Sequence, residues 1–151
     1  MSHVVVRLGT ERFAVAMDAV AEVGRMPGCT RVPGTPVWLA GVVNWRGRTL
    51  GVIDLRRLLG LPAEEGAHGA RDARLVILFA GQVQVGLRTD RVDGVLDVDL
   101  DDLEPTLMTM GEDARSLLRG QALDAEGPVG VLDENAVFAL RDRVASIRRA
   151  G

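Results

Sequence analysis

Ala40-Gly41-Val42-Val43-Asn44-Trp45-Arg46-Gly47-Arg48-Thr49-Leu50-Gly51-Val52-Ile53-Asp54 reads as two strands folded back about a polar tip. Apolar, β-branched residues gather on both sides of Arg46-Gly47, and a glycine there supplies the positive φ that a tight hairpin turn demands. The strand candidates are 40–44 and 50–53. Asp54 then precedes Leu55-Arg56-Arg57-Leu58-Leu59, a short helical run whose first backbone N–H groups its carboxylate can cap. The pattern returns downstream. A displacement of 79 residues lays Gly41 on Gly120 and Gly51-Val52-Ile53-Asp54 on Gly130-Val131-Leu132-Asp133, and Asp133 again precedes a helical run, Glu134-Asn135-Ala136-Val137-Phe138.

The segment before the hairpin repeats as well. A displacement of 72 lays Val5-Val6-Arg7-Leu8-Gly9 on Ile77-Leu78-Phe79-Ala80-Gly81, then Asp18 on Asp90, Val20 on Val92 and Val23 on Val95. Two registers in the same order predict two copies of a roughly 70-residue β unit. Further strand candidates are 4–8, 13–17, 75–79, 83–87, 92–98 and 129–132, with turns at Gly9-Thr10-Glu11 and Ala80-Gly81-Gln82. Segments 62–73 and 104–112 read as a linker and a loop. Val137, Leu140, Val144 and Ile147 recur at helical spacing, which predicts a C-terminal amphipathic helix with a basic outer face.

The predicted fold class is therefore mainly β: two pseudo-symmetric five-stranded barrels with short helices and a C-terminal helix. Closing each sheet on itself removes edges that would recruit other chains. The whole chain, 1–151, is read as a single domain. One subdomain is placed at 14–73 plus the C-terminal part and the other at 74–136, with strands open to exchange between the halves.

Composition narrows the function. With 18 basic residues scattered among 21 acidic ones and a net charge of −3, the sequence has no block of basic residues of the kind that marks phosphate-backbone binding, the arginine-rich end from Arg141 to Arg149 excepted. Every basic residue is arginine, which removes Schiff-base lysine chemistry. No apolar run reaches the roughly 18 to 20 residues of a membrane span and no leader pattern precedes Val4, so the expected location is the cytoplasm. Cys29, the one cysteine, has no internal partner and is assigned no chemistry. His3 stands at the N-terminal end and His68 in the linker, neither beside a ligand at metal spacing. Asp97, Asp99, Asp101 and Asp102 alternate with Val98 and Leu100 as a solvent-facing strand end does, so no metal or cofactor is expected. No catalytic constellation is found, and the chain is not expected to be an enzyme.

The stretch from Thr30 to Arg56 also carries a resemblance. Val32-Pro33, Pro36-Val37-Trp38, Gly41-Val42-Val43-Asn44-Trp45-Arg46-Gly47 and Val52-Ile53-Asp54-Leu55-Arg56 follow, in order and at similar spacing, the progression of the chemotaxis coupling-protein (CheW-like) family. Leu8-Gly9, Asp18 through Val23, Val85-Gly86, Asp90 and the return from Gly120 to Asp133 extend the likeness over nearly the whole chain. Trp45 departs from it, since the family usually has leucine there. An interface anchor and a residue buried in the barrel are both open readings of that indole.

The resemblance implies SH3-like barrels and an adaptor that couples chemoreceptors (methyl-accepting chemotaxis proteins) to a chemotaxis histidine kinase, recruited to membrane-associated receptor arrays. It implies no nucleic acid, no direct membrane insertion and no cofactor. By the same resemblance Val20, Glu22, Gly41, Arg46, Leu75, Gly86 and Val95 match receptor-binding positions, on a groove between the barrels that takes the receptor's helical tip. Val4 and Met17 match positions meeting the kinase's regulatory domain. Arg46 is singled out because it sits on a turn within reach of Glu22, where a guanidinium can hold a carboxylate. The alternatives are a kinase-regulatory-like domain of a non-flagellar chemosensory pathway and a small-barrel nucleic-acid-binding module.

Overall fold

The hairpin tip at Arg46-Gly47 forms as its residues dictate. β4 (Leu39–Trp45) and β5 (Arg48–Asp54) pair antiparallel with Trp45 opposite Arg48, and the two residues between them have φ of 53° and 80°. Such a pair of positive φ values matches the right-handed twist of the strands. The computed structural model describes residues 1–61, 72–106 and 112–150. Most of the expected linker and the middle of the 104–112 loop lie outside these residues, as does the side chain of Ile147.

Ten strands form two five-stranded sheets among the described residues. Besides β4 and β5 they are β1 (Ser2–Leu8), β2 (Glu11–Ala16), β3 (Val20–Arg25), β6 (Arg74–Ala80), β7 (Val83–Thr89), β8 (Arg91–Asp97), β9 (Leu118–Asp124) and β10 (Gly127–Leu132). One sheet runs β3-β6-β7-β5-β4 and the other β8-β1-β2-β10-β9. The displacement of 72 carries β1, β2 and β3 onto β6, β7 and β8, and that of 79 carries β4 and β5 onto β9 and β10. Both sheets then have the same order, each with one parallel pair, β5 with β7 and β10 with β2. The architecture is mainly β and two-fold pseudo-symmetric, and its two SH3-like units are built from repeated sequence.

The copies exchange strands. β1 and β2 complete the sheet of β8, β9 and β10, while β6 and β7 complete that of β3, β4 and β5. Each sheet therefore draws its strands from both copies of the repeat. The exchanged hairpins carry unbroken apolar runs, Val4-Val5-Val6 and Leu75-Val76-Ile77-Leu78, which need cover on both faces. Val4, Val6, Phe13 and Val15 from one sheet meet Ile53, Val76, Leu78, Val85 and Leu87 from the other in a core between the sheets. The opposite faces line the inside of each unit: Val43, Leu50, Val52, Leu75 and Ile77 in one, Ala14, Val98, Val129 and Val131 in the other.

Gly41 and Gly120 mark the pseudo-symmetry most closely. Each lies at a break in register, with φ of 141° and 152°. A Cβ on Gly41 would stand 2.2 Å from the Thr30 carbonyl oxygen, and one on Gly120 2.7 Å from that of Glu104. Those carbonyls belong to matching bridges, Thr30 with Val42 and Glu104 with Gln121.

Three helices are described: α1 (Leu55–Leu58), α2 (Glu112–Arg115) and α3 (Glu134–Ala150). Asp54 Oδ1 accepts from the Arg57 N–H at 3.4 Å, and Asp133 Oδ1 from those of Asn135 and Ala136 at 3.1 and 3.3 Å, so both aspartates cap as predicted. In α3, Val137 and Phe138 are buried and Leu140 packs on the shared core. Glu134 fastens its start by accepting from the Ala16 N–H at 2.7 Å.

Two edge strands, β3 and β9, were not among the strand candidates. An edge strand is half solvated, and Val20-Ala21-Glu22-Val23-Gly24-Arg25 shows a weak apolar rhythm. His3 also differs from its expected marginal place, since it is buried within β1 and its Nδ1 lies 3.1 Å from the Met1 carbonyl oxygen.

Candidate functional site: the hairpin tip

Glu22, Trp45 and Arg46 assemble at one end of the β3-β6-β7-β5-β4 sheet. β3 and β4 are its two edges, and Trp45 spans between them. A Cβ on Gly24 would lie 2.6 Å from the Trp45 Cη2 atom, so the glycine makes room for the indole. Trp45 Nε1 donates to Glu22 Oε2 at 3.1 Å, and Arg46 Nη2 donates to the other carboxylate oxygen, Oε1. The two donors hold the Glu22 carboxyl below its ordinary value, the indole bond foremost and the guanidinium adding to it.

Trp45 is neither wholly buried nor free. It is half-buried, packs on the interior cluster of its own unit, and carries the Arg46 guanidinium carbon 5.9 Å from its ring centroid. Arg46 itself is 74% exposed and is the one non-glycine residue with positive φ among those described. Asn44 Oδ1 accepts from the Gly47 N–H at 3.1 Å and stiffens the turn. The outcome is a guanidinium displayed on a rigid tip, held by the Glu22 carboxylate and the Trp45 ring and otherwise in solvent.

The family model described as the CheW-like domain matches residues 2–142. The chain belongs to the CheW-like family. It is 35% identical over 144 residues to the chemotaxis protein CheW of Rhizobium meliloti, covering 93% of this chain and 88% of that one. To the CheW of Bacillus subtilis it is 26% identical over 135 residues, covering 89% and 85%. The crystal structure of the scaffolding protein TtCheW from Thermoanaerobacter tengcongensis is similar with a TM-score of 0.75 at 25% identity, over 87% of this chain and 83% of that one.

On this CheW-like fold the positions named from sequence fall in several separate places. Glu22 and Arg46 meet at the tip, with Gly41 farther along β4 and Val20 at the start of β3, partly buried against the shared core. Leu75 and Gly86 lie together inside the same unit. Both are buried, and a Cβ on Gly86 would reach within 2.6 Å of Leu75 Cδ1. Val95 belongs to the other sheet, 63% exposed on β8 and directly opposite the buried Val4 on β1. Met17 is exposed in a 3-10 turn after β2.

The space between the sheets is filled by the shared core. A cleft of about 550 Å³ opens at its border, lined by Trp38, Leu58, Ser116, Leu117, Leu140 and Arg143 among others, and none of the named receptor positions lines it. The opposite sheet has its own charged tip. Arg12, 8% exposed, sends Nη1 and Nη2 to the two oxygens of Asp124 at 2.9 and 2.6 Å and a further bond to the Gly127 carbonyl at 3.0 Å. That fork, with its charge, draws the Asp124 carboxyl down to about 2. Sequence reading missed this pair because its partners stand 112 residues apart.

Proposed function

We infer that the chain is a chemotaxis coupling adaptor that joins chemoreceptors to a histidine kinase by binding, without turnover. The observation that carries this reading is the CheW-like match over residues 2–142, together with a fold shared over most of the length of a protein described as a scaffold. The kinase-regulatory and nucleic-acid alternatives have no comparable support, since the relatives matched over 88% and 85% of their length are chemotaxis CheW proteins.

The receptor contact is assigned to the Glu22–Trp45–Arg46 tip. A preorganised guanidinium over an indole offers a partner a charged, flat anchor at little cost in side-chain entropy. Leu75, Gly86 and Gly41, being buried, act by holding β4 to β7 in place beneath that tip. Val20 contributes at the start of β3, and Val95 offers an exposed apolar contact on the other sheet. Val4 and Met17 are assigned to the kinase-facing end, Met17 by contact and Val4 by supporting β8. No helix among the described residues is long and apolar enough to cross a membrane, and placement at receptor arrays follows in this reading from partner binding.

The test is reconstitution of receptor-containing vesicles, a chemotaxis kinase and this protein, scored by receptor-dependent autophosphorylation of the kinase. Activation by wild type and its loss with Arg46→Ala and Glu22→Ala support the reading. Failure of the wild-type protein to bind either partner, or labelled phosphate appearing on this chain itself, overturns it.

A further inference from the structure

Arg31, Arg56, Arg57 and Arg88 converge from three separated stretches of chain on one open cleft of about 510 Å³. Among the described residues Asp54 is the only carboxylate lining it, so four guanidinium groups against one leave a local excess of three positive charges there, on a chain of net charge −3. Asp54 does not saturate them. Its Oδ2 stands 3.7 Å from Arg57 Nε and 3.8 Å from Arg88 Nη1, beyond direct hydrogen bonding. Arg31 and Arg56 have no carboxylate partner among the described residues.

The internal repeat supplies a control. In the second copy the capping aspartate is Asp133, yet Asn135 and Ala136 stand where the first copy has Arg56 and Arg57, and Ala16 where it has Arg88. The bridges Thr30–Val42 and Glu104–Gln121 match, which sets Pro105 against Arg31. The same backbone and the same cap thus form without these four arginines. Their convergence is not a requirement of the fold.

The cleft is also preformed. Its loop is tied at one end by the Met26 N–H to the Ala73 carbonyl at 3.2 Å, and at the other by the reciprocal bonds of Thr30 and Val42 at 2.8 and 2.9 Å. It lies at the far end of the β4–β5 hairpin from Arg46, so an occupant leaves the tip free.

We propose that this cleft binds a small phosphate polyanion of the pyrophosphate class. Planar guanidinium forks match phosphate oxygens bidentately, and three excess charges balance a diphosphate better than a single orthophosphate. The diphosphate can be free or part of a nucleotide. Cys29 lines the same cleft and is the chain's one cysteine, so its thiol reports occupancy.

The experiment titrates the full chain calorimetrically, at constant ionic strength, with inorganic pyrophosphate, orthophosphate and ATP. In parallel, the reaction rate of Cys29 with the anionic reagent dithiobis(nitrobenzoate) is followed. Saturable pyrophosphate binding, slowed Cys29 modification and a loss of about tenfold in affinity in each of Arg31→Gln and Arg56→Gln support the site. Among the described residues neither side chain has a carboxylate partner, so these variants keep the fold. Tighter binding of ATP than of pyrophosphate assigns the diphosphate to a nucleotide, and equal binding assigns it to the free ion. Absence of saturable binding, binding indifferent to both substitutions, or occupancy by an acidic peptide but not by pyrophosphate overturns the proposal.

Discussion

Replacing Arg12 by leucine removes a guanidinium that holds three acceptors of the β9–β10 turn while itself almost excluded from water. Its two bonds to Asp124 and one to the Gly127 carbonyl are lost together, and Glu126, 3.4 Å from Nη1, loses a neighbour as well. Stranding one member of a buried pair costs about 3 to 5 kcal/mol. Asp124 is at the rim and 25% exposed, so water recovers part of that. The depressed ionisation of Asp124 expresses the same interaction as a free energy. The carboxyl ionises at about 2 in place of 3.8, which at about 1.4 kcal/mol per pH unit corresponds to about 2 kcal/mol of stability. Both routes lead to a loss of about 2 to 3 kcal/mol for Arg12→Leu in urea denaturation near neutral pH. The sign with pH follows from the depressed folded-state value. Between about pH 4 and pH 2 the unfolded chain binds the extra proton, so the contribution is complete above that window and lost as pH falls through it. Wild type should therefore lose stability over that range more steeply than Arg12→Leu, which has no pair left to lose. A variant within about 0.5 kcal/mol of wild type, or with the same acid slope, would refute this reasoning.

At the other tip the expected pattern is reversed: Arg46→Ala should melt close to wild type, because exposed ion pairs contribute about 0 to 1 kcal/mol, while receptor-dependent kinase activation is largely lost. Gly41→Ala places a Cβ 2.2 Å from a backbone oxygen at a φ that side chains rarely adopt, and should cost about 3 kcal/mol or more by thermal denaturation. Gly24→Ala meets the movable rim of an indole instead of backbone; the expected result is a red-shifted, more quenchable Trp45 emission with the fold retained, read by acrylamide quenching in a Trp38→Phe background. Val95→Arg should leave stability within about 0.5 kcal/mol of wild type, since the side chain is 63% exposed, and should weaken receptor pull-down.

Much of this protein was determined by its sequence alone. Alternating apolar runs, the Arg46-Gly47 turn, both aspartate caps and the displacements of 72 and 79 define the strands, their order in two copies and the family, because each is a local signal or a recurrence of one. Even β3 and β9, too polar and half-solvated to announce themselves, have register partners in the runs at 92–98 and 40–44. The repeat alone would have located them. The Glu22–Arg46 pairing was likewise within reach once the resemblance had placed both residues, though the indole bond that completes it was not.

Tertiary structure decided what depends on chain crossing itself. The exchange of β1–β2 for β6–β7 follows from burying both faces of the apolar runs within those hairpins, and either pairing of hairpin with partner sheet satisfies the same local pattern. It also sets Leu75 and Gly86 inside a unit and places Val95 on the opposite sheet. The arginine fork on Asp124 and the cleft of four arginines are built across separations of 112 residues and from three distinct stretches. Charges scattered evenly along a chain carry no sign of where they will meet. Only packing brings them together, because the free energy that orders them comes from the apolar core beneath and not from the charges themselves.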